Sequence, residues 1–153
     1  MKKVILTYGT FDLFHIGHLN LLRRLKELGT NLIVGVSTDE FNSSKGKKTI
    51  IPFEDRIQIV QSMEFVDLAI AEDNWDQKKN DIEKYKVDTF GIGDDWKGKF
   101  DELKQYCEVV YLPRTNGISS TALKKNLQAL DRSHIEDLKK GLDLISSIVE
   151  RFD

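Results

Sequence analysis

Two imidazoles, His15 and His18, stand three residues apart in the run Gly9-Thr10-Phe11-Asp12-Leu13-Phe14-His15-Ile16-Gly17-His18. On the first turn of a helix that spacing points both rings the same way. The run follows an apolar segment, Val4 to Leu6, that reads as a first β-strand, and it precedes a helical pattern of leucines. A strand ending in a tight turn and a helix start presents free backbone N–H groups, where anionic phosphates are favoured. Gly17 leaves a triphosphate a path to the backbone without a Cβ in the way. A bare His-x-Gly-His also fits two histidines that cap a helix; Gly-Thr-Phe-Asp in the same turn favours the nucleotide reading.

A polyphosphate needs several cationic or N–H donors acting together. Candidates are His15, His18, Lys45, Lys47, Lys48, Arg56 and Arg114, with the hydroxyls of Thr10, Ser119, Ser120 and Thr121. The run Arg114-Thr115-Asn116-Gly117-Ile118-Ser119-Ser120-Thr121 ends in a second helix start, with Ser119 also suited to a plain N-cap. Taken singly, the basic loop around Lys45 reads as a solvated surface, Trp75 and Trp96 as core or rim aromatics, and Asp39 as a strand-end cap. No G-x-x-x-x-G-K-[ST] is present, so the chain is not a P-loop NTPase. No Ser/His/Asp constellation and no Cys/His cluster with zinc-ligand spacing stands out, and no protein-borne metal site is expected. What remains suits phosphoryl-group chemistry by positioning and charge stabilisation.

The elements that must position these residues alternate between strand-like apolar runs and helical patterns, as in a parallel sheet covered by helices. Strands are expected near 3–8, 31–37, 67–71, 87–92 and 108–112. Leu19, Leu22, Leu25 and Leu28 make one helix face, closed by Gly29 as a C-terminal stop. A second helix follows Pro52 with Ile57, Val60 and Met63 inward, a third covers about 76–85, and a short one 98–105. Ile118, Leu123, Leu127 and Leu130 mark another. Thr10 to His18, Thr38 to Lys48, Gly93 to Trp96 and Arg114 to Thr121 all follow strands and can converge on one crevice. Beyond the junction Asp131-Arg132 a separate amphipathic helix is expected over 131–153, with Ser133 and Glu136 as a capping box. Its Ile135, Leu138, Leu142, Ile145, Val149 and Phe152 form a seam of period 3.5 that needs a partner surface, in its own domain or on a second subunit. The division is thus 1–130 and 131–153.

Length and charge bound the rest. A chain of 153 residues, 40% hydrophobic, suits one domain with a single core. A net charge of −2 gives no global basic field for nucleic acid. The single Cys107 excludes an intramolecular disulfide, fits a reducing cytosol and reads as a structural thiol. No apolar stretch reaches the ~20 residues of a membrane span, and no signal-peptide pattern opens the chain. A cytoplasmic protein without nucleic-acid or membrane partners is expected.

Gly9–His18 and Arg114–Thr121, in this order, resemble the cytidylyltransferase family of the nucleotidyltransferase superfamily, and within it the bacterial glycerol-3-phosphate cytidylyltransferases. The likeness runs from about Lys3 to Leu130 and takes in Ser37–Asn42, Asn74–Lys79, Gly93–Trp96 and Tyr111–Thr115. The resemblance implies an α/β fold, a Rossmann-like doubly wound parallel five-stranded sheet, here with an added C-terminal helix. It implies transfer of CMP from CTP to glycerol 3-phosphate, with magnesium on the triphosphate; the homodimer is expected from the C-terminal seam and not from the resemblance. By position it assigns His15, His18, Lys47 and Arg114 to catalysis. CTP would also meet Thr10, Phe11, Ile16, Gly17, Asp95, Thr115, Asn116, Gly117, Ile118, Ser119, Ser120 and Thr121. Lys45 and Lys78 would hold the second substrate's phosphate, with Asp12, Asp39, Arg56 and Trp75 in support. Teichoic-acid or capsule polymers are the implied destination.

Two departures stand out. Glu64 occupies a position where the close relatives carry arginine, which puts affinity or the acceptor in question, and Ser120 replaces a threonine while keeping the hydroxyl. The alternatives are a cytidylyltransferase for another small alcohol or amino-alcohol phosphate, and a non-catalytic nucleotide-binding assembly module centred on the seam helix.

Overall fold

β1 (Val4–Gly9) is apolar on both faces. Val4, Leu6 and Tyr8 enter one core and Ile5 the other, as a strand covered on both sides requires. In the computed structural model, which describes residues 1–152, it is the central strand of a parallel sheet ordered β3-β2-β1-β4-β5. The others are β2 (Asn31–Ser37), β3 (Leu68–Glu72), β4 (Thr89–Gly93) and β5 (Glu108–Leu112), where the apolar runs placed them. The chain builds outward from β1 through β2 to β3, then returns to lay β4 on the other side of β1. This reversal opens a crevice at the carboxyl ends of β1 and β4, where doubly wound sheets bind their ligands.

Each face has its own core. Leu22 and Leu25 of α1 (Ile16–Glu27) and Val60 of α3 (Phe53–Gln61) pack with Ile5, Leu32, Val34 and Val36. Ile82 of α4 (Gln77–Tyr85), Phe100 and Leu103 pack with Val4, Leu6, Phe90 and Ile92 on the other face. Each fully buried leucine of this kind contributes about 1.5–3 kcal/mol relative to an exposed one. The chain from β4 to β5 forms two 3-10 turns, Asp94–Trp96 and Asp101–Gln105, in place of the single short helix expected near 98–105.

Three further expectations change. Gly29 follows the C-cap Leu28 but does not adopt a left-handed turn; a Cβ there would lie 2.6 Å from the carbonyl oxygen of Lys3, so close approach to β1 is what requires glycine. A short helix, α2 (Asp39–Ser44), stands where only a loop was expected. Thr38 caps it by accepting from the Phe41 N–H, and Asp39 and Glu40 complement its dipole. Finally, one continuous helix, α5 (Ser120–Glu150), runs through Asp131-Arg132, so Ser133 lies inside a helix and caps nothing. The residues divide into two compact units, 1–118 and 119–153. Leu127 and the seam residues Ile135, Leu138, Leu142, Ile145 and Val149 of α5 are exposed, as is Phe152 beyond its end; the side chain of Leu130 lies outside the described residues. No helix among the described residues is long and apolar enough to cross a membrane.

Arg56 joins the loops at the carboxyl edge of the sheet. It is 1% exposed, and its Nη1 donates to the carbonyls of Thr10 after β1 (2.8 Å) and Ser37 at the end of β2 (2.7 Å). Its Nε donates to the Ile51 carbonyl and its Nη2 to Asp39, each at 2.8 Å. The planar fork serves four acceptors at once, which a lysine ammonium with three hydrogens cannot. Arg56→Lys is therefore expected to lower the unfolding free energy by about 1–3 kcal/mol, the scale of a buried acceptor left unsatisfied, measured by urea denaturation.

Candidate functional site

The loop between β1 and α1 is held in a strained form. Phe11 and Leu13 have φ of 55° and 49°, a left-handed conformation that costs a non-glycine residue about 1–2 kcal/mol. Such strain persists only where surrounding contacts over-determine it. Here Phe11 is buried in the core beside α1, and the buried Asp12 carboxylate accepts from the backbone N–H groups of Leu13, Ile50 and Ile51 at 2.8–3.1 Å. Asp12 thus ties this loop to the segment before α3. Asp39 does the same from α2, accepting from Phe53 N–H, Thr49 and Arg56; the Phe53 hydrogen bond is the main cause holding its carboxyl below the usual range. Asp12, Asp39 and Arg56 build the frame, and the Arg56 guanidinium donates to Thr10, Ser37, Ile51 and Asp39.

The two histidines cap α1 reciprocally. His15 Nδ1 accepts from the Gly17 N–H at 3.0 Å, and His18 Nδ1 accepts from the His15 N–H at 3.3 Å. The rings stack with centroids 3.9 Å apart. Because both Nδ1 atoms are acceptors, the neutral rings carry their hydrogens on Nε2. The environment favours that neutral form. Burial, reinforced by His15 and opposed by Asp12, lowers the His18 pKa to about 4; burial and the Arg114 charge lower that of His15. His15 Nε2 is buried and has no hydrogen-bond partner among the described residues. The cluster is therefore two stacked N–H donors at a helix N-terminus, one with nothing to donate to. Gly17 has a local reason beyond ligand approach: a Cβ there would sit 2.8 Å from the His15 ring. Ile16, by contrast, points to solvent.

The segment after β5 (113–118) lies along α1. Arg24 donates to the Pro113 carbonyl at 2.7 Å, Asn20 to the Thr115 hydroxyl at 3.2 Å, and Ile118 sits beside Gly17. Asn116 and Gly117 form the turn, with Gly117 at φ +80°. Arg114 is half exposed and pairs with Asp95 at 3.0 Å, joining the β4 and β5 loops. The first motif and the part of the second up to Ile118 thus meet at one helix start. Ser119, Ser120 and Thr121 belong to the second compact unit, where Ser119 caps α5 by accepting from the Ala122 N–H.

On the other flank, aromatic rings and lysines gather. Trp75 packs edge-on against Phe41 and beside Trp96. Lys45 Nζ lies 4.0 Å from the Phe41 ring centroid and Lys47 Nζ 5.8 Å from that of Trp96. Lys78 is buried, bonded to Glu72 at 2.8 Å. An open cleft of about 610 Å³ is bordered by Trp75, Lys78, Trp96, Lys99 and Phe100, among others. Two residues were not singled out by sequence reasoning: Glu72, and the fully buried Asn42, whose Oδ1 accepts from Thr10 while its Nδ2 is unpartnered. Asn42 lay within a matched segment but read as a loop residue; Glu72 carried no signal. Glu64 is exposed in the connection from α3 to β3, at the amino edge of the sheet and away from the crevice. Its sign therefore does not enter the site within one chain. No group of three or more His, Cys, Asp or Glu gathers among the described residues to hold a metal.

Residues 6–126 match the cytidylyltransferase-like family. The chain is 61% identical over 130 residues to the glycerol-3-phosphate cytidylyltransferase of Bacillus spizizenii, covering 85% of this chain and 100% of that one. It is 53% identical to the enzyme of the same name from Staphylococcus aureus, covering 86% of this chain and 98% of that one. Among solved structures, the lipopolysaccharide core biosynthesis protein of Thermoplasma volcanium superposes with a TM-score of 0.66 at 26% identity, over 76% of this chain and 100% of that one. With the paired histidines and Arg114 to Ile118 brought to the same helix start, the chain belongs to the cytidylyltransferase-like family and, within it, groups with the glycerol-3-phosphate cytidylyltransferases.

Proposed function

We propose that this chain transfers CMP from CTP to sn-glycerol 3-phosphate, giving CDP-glycerol and pyrophosphate. The carrying observation is the unpartnered Nε2 donor of His15, stacked on His18 at the N-terminus of α1. An oxygen of the acceptor phosphate attacks the α-phosphorus in line. The new O–P bond forms as the bond to the β-phosphate oxygen breaks, and pyrophosphate leaves with that electron pair. The nucleophile is already an anion, so no general base is required. His15 and His18 donate to α-phosphate oxygens as charge builds, the role that oriented N–H donors fill best in a water-poor site. Lys47 and Arg114 take the β- and γ-phosphates, Arg114 exchanging Asp95 for the ligand and freeing Asp95 for the cytosine amino group. Thr10, Phe11, Ile16, Gly17 and the segment from Thr115 to Ile118 line the nucleotide. Lys45 and Lys78 receive the acceptor phosphate, with Trp75 as their wall. When bound with CTP, a divalent cation, magnesium in the first instance, would supply neutralisation of the triphosphate charge.

The amino-alcohol alternative is less well served. A second ammonium would enter a region of lysines in which the carboxylates of Asp12, Asp39 and Glu72 are already engaged. Pyrophosphate release across CTP, UTP and ATP, each with glycerol 3-phosphate, phosphoethanolamine and phosphocholine, tests the reading. CTP with glycerol 3-phosphate should dominate, and comparable rates with ATP or phosphoethanolamine would overturn it. In the same assay His15→Ala and His18→Ala should each lose turnover by about 100-fold or more, with CTP binding retained by calorimetry.

The depressed His18 pKa has a consequence for stability. Above pH 6.5 the ring is neutral folded or unfolded and its contribution is intact. Between 6.5 and about 4 the unfolded chain binds a proton that the folded chain does not, so stability falls as pH falls. Scanning calorimetry should show the midpoint dropping from pH 6.5 to 5, and dropping less in His18→Ala.

The exposed α5 seam supports a homodimer in which this face meets a second copy, since it leaves a stripe of apolar side chains in water, with Ile148 at its edge. Leu142→Glu with Ile145→Glu should convert the dimer to monomer by light scattering at unchanged pyrophosphate-release chemistry. An unaltered mass would remove α5 from the interface.

A further inference from the structure

Glu72 and Lys78 form an ion pair with both side chains buried, each 5% exposed. Taking two charges out of water costs several kcal/mol per ion, so a buried pair is weak evidence of a stabilising role and invites another explanation. Its placement supplies one. Glu72 ends β3 directly opposite Ser37 of β2, whose hydroxyl donates to Oε1 at 2.6 Å, and its Oε2 accepts from Lys78 Nζ at 2.8 Å. Lys78 lies in the first turn of α4. One of its three ammonium hydrogens is taken by Glu72, and the rest of the ammonium faces the rings of Tyr8, Trp75 and Phe100 at 4.5, 5.0 and 5.6 Å. Lys78 also borders the open cleft, so it has a buried carboxylate on one side and a route to ligand on another.

Lys45 shares this enclosure, 5.3 Å from the Trp75 ring. Burial lowers its pKa, and Lys47, Lys78 of α4 and Arg56 of α3 lower it further; Glu72 of β3 is the charge that opposes them. Two ammonium groups and one carboxylate leave a single net positive charge in an aromatic-walled space, complementary to a small phosphate.

We propose that Glu72 is the positioning residue of the acceptor-phosphate site: held by Ser37, it fixes the Lys78 ammonium against Trp75 and supplies the negative charge that lets two lysines share one enclosure for a phosphomonoester. The assignment rests on the reading that Lys45 and Lys78 receive that phosphate.

The test is pyrophosphate release with varied glycerol 3-phosphate at saturating CTP from pH 6 to 10. Glu72→Gln keeps the shape and removes the charge. The acceptor KM should rise about tenfold or more while the CTP KM stays within about twofold, and the alkaline limb of kcat/KM for the acceptor should move to lower pH as Lys45 loses its opposing charge. A packing role would change both KM values and the melting temperature together and leave the limb in place; that result overturns the proposal, as does an unchanged acceptor KM. If Glu72→Gln does not fold, Ser37→Ala decides: it keeps both charges but frees the carboxylate, and should raise the acceptor KM about threefold, an unchanged value overturning the assignment. Wild-type protein that releases no pyrophosphate with glycerol 3-phosphate would sink the activity and this assignment together. Wild-type release with both variants at the wild-type acceptor KM would sink this assignment alone.

Discussion

The site depends on one guanidinium. Parallel strands ending at a common edge leave carbonyl groups with no sheet partner, and each such group, once buried, must be satisfied. Arg56 satisfies those of Thr10, Ser37 and Ile51 while neutralising Asp39. Because those acceptors belong to separate segments, the same four bonds set where β1, β2 and the approach to α3 stand relative to one another. The strained Phe11 and Leu13 are affordable against that fixed background, and the histidine cap follows from the loop they shape.

Capping and the proposed chemistry use opposite nitrogens of the same two rings at α1. Helix starts normally satisfy orphan N–H groups with a serine or aspartate oxygen; here imidazole nitrogens do so, which fixes each ring's tautomer. A carboxylate cap would place negative charge where the proposed function puts the phosphate. A neutral ring that accepts through one nitrogen and donates through the other closes the helix and still offers a donor outward.

The sheet was legible because both-face burial makes β-runs apolar throughout, and the five runs stand out between polar helices. The histidine and Arg-Thr-Asn-Gly-Ile-Ser motifs were legible because chemistry at a helix start demands particular residue types at particular spacings. Arg56 read as one more cation for phosphate, since sequence does not say which cations are buried against carbonyls. Glu72 was silent because its partners, Ser37 and Lys78, come together only through strand register and the docking of α4. The α5 break at Asp131 was misread because Ser133 and Glu136 satisfy a capping pattern anywhere, whereas a helix already under way needs no cap and continues through a serine at little cost.

That continuity gives α5 a phase. Its 31 residues extend about 45 Å at 1.5 Å per residue, and the azimuth of the apolar stripe is fixed by the count of residues from Ser119. Inserting one residue between Ser119 and Ile135 would turn the whole stripe by about 100°, whereas inserting seven would bring it nearly back to its original bearing. The length of this stretch is thus constrained by angle as well as by reach, and a drift in it would be tolerated in steps of whole heptads while single-residue changes would swing the apolar face away from whatever it meets.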